Sequence, residues 1–148
     1  MTRGGAAALL VLAWMAGVSR ADDLARARAE PNLEKRARLA LAESDAAMNA
    51  ARSDYQRGDN ARISSDAATI VEAVDLAFLS LNQTGKDPRK SSRWFKYAEI
   101  QTRGLLRRLD ALQEDMSFED RPLVEKARKE VQQVHDKLLV GLMEGKPK

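Results

Sequence analysis

The stretch RWFKYAEIQTRGLLRRLDALQED, residues Arg93–Asp115, decides the fold. Phe95, Ala98, Thr102, Leu105, Leu109 and Leu112 recur at steps of three and four, while Lys96, Arg103, Arg107, Asp110 and Glu114 fall on the opposite side. That spacing predicts an amphipathic helix with one buried stripe. A lone helix cannot hide such a stripe from water, so the rest of the chain has to supply matching faces.

Three other segments do. Downstream, Met116 to Pro122 is a connection in which Ser117 or Asp120 can cap and Pro122 sits in a first helical turn. The helix after it, about 123–143, places Val124, Ala127, Val131, Val134, Leu138 and Leu142 on one side and ends at Gly145 and Pro147. Upstream, QTGKDPRKSS (Gln83–Ser92) is a basic loop broken by Gly85 and Pro88, and Ser91 or Ser92 can cap the Arg93–Asp115 helix. Before it, about 61–82, Ile63, Ala67, Ile70, Val71, Val74, Ala77, Phe78 and Leu81 make the richest apolar face of the first half. Gly58-Asp59-Asn60 is the turn that precedes it, with glycine closing one helix and Asp59 or Asn60 capping the next. The first helix, about 33–57, aligns Leu33, Ala37, Ala40, Leu41, Met48, Ala51 and Tyr55, mostly small residues that allow a neighbour to approach closely. Tyr55-x-x-Gly58-Asp59 resembles the turn of tetratricopeptide hairpins over about a dozen residues, but so long a helix does not fit a repeat of roughly 34 residues.

Four amphipathic helices joined by short connections predict an all-α fold, an antiparallel up-down-up-down four-helix bundle of two helical hairpins over residues 32–144, packed like a coiled coil. Residues 145–148 read as a disordered tail, and 22–31 as a charged, alanine-rich lead-in, helical or frayed. Residues 1–21 have the parts of a cleavable signal peptide: Arg3, an apolar run through Ala6–Val18 too short to span a bilayer comfortably, and small residues around Arg20. Cleavage after Ala21 places the mature chain in the periplasm or the medium, with no transmembrane span left.

The formal charge of +3 includes Arg3 and Arg20 of that leader. Without them 23 basic side chains face 22 acidic ones, which leaves no global field for nucleic acid. Cysteine is absent, so thiolate nucleophiles, thiolate metal sites and disulfides are excluded. With one histidine, His135, and Gln132 three residues before it, a di-iron site of Glu-x-x-His pairs cannot be assembled. A haem held by Met48 and His135 meets a register mismatch of roughly 10 Å between the first and last helices at 1.5 Å per residue. The remaining acids, such as Glu43, Asp45, Glu125 and Glu130, read as solvated surface, and no phosphate loop or G-x-S-x-G is present. The expectation is therefore no catalysis, no metal and no cofactor.

What remains is Lys86-Asp87-Pro88-Arg89-Lys90-Ser91-Ser92-Arg93-Trp94-Phe95-Lys96, five cations and an aromatic pair where a loop meets a helix. Arginine or lysine beside a tryptophan off the core stripe is suited to anionic partners. Lys86, Arg89, Lys90, Arg93, Trp94 and Lys96 are the expected binding residues of a small secreted helical protein that engages a protein or an anionic envelope component. A ligand- or cofactor-carrying bundle, and a structural subunit that forms a homodimer through the alanine-rich face, are the alternatives.

Overall fold

Asn32 opens the first long helix: its Oδ1 accepts the Lys35 N–H at 2.8 Å, satisfying one of the donors that a helix start leaves bare. The computed structural model describes residues 20–146. Among them the chain is all-α, with five helices and no strand: α1 (Arg20–Ala29), α2 (Leu33–Gln56), α3 (Asn60–Gln83), α4 (Arg93–Asp115) and α5 (Pro122–Glu144). The expected leader lies outside the described residues apart from its last two positions, as do residues 147–148 of the expected tail.

Five helices stand where four were expected because the lead-in also folds. Leu24 and Ala27 of α1 are buried where it packs on α2 and α3, and Arg28 reaches Glu72 of α3 at 2.8 Å. Gly58, at φ 71°, closes α2, and Asp59 caps α3 by accepting the Arg62 N–H at 3.2 Å. The other two caps differ from expectation. Ser92 flanks α4 without a side-chain cap bond, and Ser117 Oγ donates to Asp120 at 2.9 Å instead of capping α5, which starts at Pro122.

All six stripe residues of Arg93–Asp115 are buried, with Leu109 and Thr102 fully so. Each large apolar side chain removed from water in this way contributes roughly 1.5–3 kcal/mol. The alanines of α2 (Ala37, Ala40, Ala47 and Ala51) are buried inside the chain, and α3 is the helix α2 packs on most closely.

The helices pair in an order that a simple up-and-down bundle does not have. Hairpin α2–α3 and hairpin α4–α5 lie side by side so that α2 neighbours α4 and α3 neighbours α5, while α2 and α5 lie diagonally apart and α3 and α4 approach sparingly. Arg52 meets Asp115 at 2.8 Å and Arg108 meets Asp45, seven residues earlier on both helices, so α2 and α4 run parallel. Residues 84–92, between α3 and α4, therefore run across one end of the molecule. At the other end Tyr55 Oη donates to the Asp115 carbonyl and accepts the Ser117 N–H, both at 3.1 Å, and Asn60 donates to Asp120 at 3.0 Å. These bonds tie the two hairpin turns together.

Candidate binding surface

Residues 84–92 form a strap, not a free loop. Asp87 organises it: its carboxylate accepts the Arg89 N–H at 2.9 Å and its carbonyl accepts the Ser91 N–H at 2.8 Å. The strap lies directly on the end of α5, where two glycines make room for it. A Cβ at Gly141 would stand 3.3 Å from the Pro88 ring, and one at Gly145 would stand 3.1 Å from Asp87 and Arg89. Pro88 is buried there, and Lys86 fixes the strap to α2 through Glu34 at 2.5 Å.

The six expected binding residues stand in different settings. Lys86 turns toward α2 and the end of α5, Arg89 and Lys90 stand exposed on the strap, and Lys96 is exposed on the outward side of α4. Arg93 and Trp94 belong to a separate arrangement in the first turn of α4. The Trp94 ring is half-buried against the core, with the Arg93 guanidinium 4.5 Å from its centre and that of Arg38, from α2, at 4.6 Å. Tyr97 meets its edge at 5.9 Å and 83°. Arg38 is the member that sequence reasoning misses, because only the packing of α2 on α4 brings it there. Among the described residues no carboxylate pairs with Arg38 or Arg93. Further along α4 the positive face is compensated: Arg103 pairs with Glu99 at 3.4 Å, and Arg108 with Asp45.

On the opposite side of the strap, α3, α5 and the strap enclose a groove of about 840 Å³, floored by Phe78, Phe95 and Leu138, with Val140 and Lys137 at its lip. Lys137 Nζ stands 5.7 Å from the Phe78 ring centre.

No family model, curated protein or solved structure matches the chain. The function of the site therefore rests on its own groups.

Met48 is buried in α2, and His135 is half-buried on α5, which is not a neighbour of α2 in the bundle. His135 Nε2 lies 3.0 Å from Glu99 Oε1, across the α4–α5 seam. Among the described residues no group of three or more His, Asp or Glu is set to hold a metal.

Several carboxyls depart from the solvated surface expected for them. Glu43, Asp54 and Asp66 are buried within α2 and α3. Hydrogen bonding with Asp66, and then with the Arg57 guanidinium, holds the Asp54 carboxyl below the usual range. Between α3 and α5, Asp75 faces Glu130. Burial, followed by the hydrogen bond and the charge of Glu130, pushes Asp75 up to about 6, against the opposing pull of Lys137.

Proposed function

We propose that this chain is exported through the leader 1–21 to the periplasm or the medium, and that α2 to α5 act there as a four-helix bundle scaffold with α1 laid over it. It works by binding an acidic protein partner, without catalysis. The observation that carries this reading is the pair of guanidiniums, Arg38 and Arg93, gathered on the Trp94 ring.

A guanidinium stacked on an aromatic face keeps its in-plane N–H donors free, and that fork matches a carboxylate in bidentate fashion. Stacking also removes much of the rotamer freedom an exposed arginine would lose on binding. Tryptophan, tyrosine and arginine are the residues in which binding hot spots concentrate, and Tyr97 completes the set. A protein fits better than a membrane. Trp94 is packed against the core and carries two guanidiniums on its ring, so little of that ring is offered to lipid.

Crosslinking and pull-down from the native envelope test this. The unaltered chain is expected to retain an acidic protein that 0.5 M salt releases, at a Debye length of roughly 4 Å, and that Arg38→Glu/Arg93→Glu fails to hold, whereas Lys96→Glu keeps it. An unchanged set of captured proteins in the double variant sinks the reading. Retention on phosphatidylglycerol vesicles alone, with no protein captured, replaces it with a membrane surface.

A further inference from the structure

The groove between α3, the strap and α5 is separate from the Trp94 face, and its chemistry is different. Its floor is apolar, formed by Phe78, Phe95 and Leu138. At about 840 Å³ it falls within the range of small-molecule sites, roughly 300–1,000 Å³. One wall is the strap, seated on α5 at Gly141 and Gly145, one helical turn apart, where an added Cβ would crowd Pro88, Asp87 and Arg89.

The rim is lysine-rich. Lys86, Lys137 and Lys146 line it, with Asp136 and Glu144 as its acids. Lys86 is held by Glu34 at 2.5 Å, and Lys146 Nζ lies 3.4 Å from the Gly85 carbonyl. Asp136 is turned to Gln132, which donates to it at 2.8 Å. Lys137 alone stands over the apolar floor, 5.7 Å from the Phe78 ring centre, with Asp75 and Glu130 further down the same seam. An open groove of this volume with an apolar floor and one ammonium standing over that floor suits a ligand with an apolar body and one negative end.

We propose that this groove binds a free long-chain carboxylic acid, its chain along Phe78, Phe95 and Leu138 and its carboxylate on Lys137. The free acid is favoured over a bilayer lipid because the strap walls one side, so a chain has to enter whole. Apolar burial supplies affinity in proportion to chain length, and the ammonium distinguishes acid from alcohol.

Calorimetric titration of the full chain below the micellar concentration of each ligand tests the proposal, with palmitate, hexadecanol and acetate as probes. Palmitate is expected to saturate at one per chain, with hexadecanol at least tenfold weaker and acetate silent, tenfold being the loss of one charge-assisted contact. Lys137→Met keeps the aliphatic stem, so it is expected to weaken palmitate about tenfold and bring it level with the alcohol. Val140→Asp, at a position 51% exposed, is expected to weaken palmitate without changing the helical melt. The proposal is overturned by the absence of saturable palmitate binding, by equal binding of acid and alcohol to the unaltered chain, or by Lys137→Met leaving palmitate unaffected. It stands apart from the acidic-partner reading: Arg38→Glu/Arg93→Glu is expected to bind palmitate normally.

Discussion

Replacing Asp75 by Asn isolates the least comfortable contact between the two hairpins. Asp75 on α3 and Glu130 on α5 face each other, and the Asp75 carboxyl is pushed from its usual 3.8 to about 6. A carboxyl whose pKa rises on folding holds its proton more tightly folded than unfolded. Its contribution is therefore fully present below about pH 4 and is lost as pH rises through about 6. The displacement of about two units corresponds to at most about 3 kcal/mol at 1.36 kcal/mol per unit, and the solvent that still reaches the pair reduces this to about 1 kcal/mol. Asparagine keeps the shape and a hydrogen bond to Glu130 but has no charge to repel it. Asp75→Asn should then gain about 1 kcal/mol at pH 7.5, a rise of about 3–5 °C in Tm for a chain of this size, and almost nothing at pH 4. Urea denaturation followed by helical circular dichroism at both pH values measures the two gains. An equal gain at both, or no gain at pH 7.5, would refute the reasoning.

The core and the turns give further checks. Leu109→Ala empties a fully buried position on the stripe of α4 and should cost about 2–5 kcal/mol in the same denaturation assay. Gly58→Ala and Gly104→Ala form a matched pair, since an added Cβ meets nothing within 4 Å at either position. Gly58 sits at φ 71°, so alanine there should cost about 1 kcal/mol, whereas Gly104 is inside α4 and alanine should stabilise by roughly 0.5–1 kcal/mol.

The stripe Phe95, Ala98, Thr102, Leu105, Leu109 and Leu112 is legible because three-and-four spacing maps directly onto burial, and all six are buried. The same signal locates α2, α3 and α5. It misses α1 because, among residues 21–29, only Leu24 and Ala27 are buried, too few to mark a period. Glu43, Asp54 and Asp66 do not announce their burial because charge type favours solvent, and their position inside depends on which groups meet within the α2–α3 hairpin. The pairing of α3 with α5 is hidden for a similar reason. Residues 84–92 are long enough either to turn back or to cross the end, and the glycines that let Pro88 and Arg89 settle on α5 lie more than fifty residues downstream. The basic segment Lys86–Lys96 stands out in the sequence, but its division between the strap and the Trp94 stack does not, because Arg38 belongs to another helix.

Arg38 and Arg93, forked donors held on Trp94, carry the proposed function, and the most direct test is the dissociation constant of the acidic protein captured from the envelope. Trp94 is the only tryptophan after Trp14, so its emission reports the contact. Hot-spot arginines contribute about 2 kcal/mol or more, so Arg38→Ala and Arg93→Ala should each raise Kd by about thirtyfold, and 0.5 M salt should weaken the unaltered complex. A Kd unchanged in both variants, with Trp94 emission still shifting on binding, would contradict it.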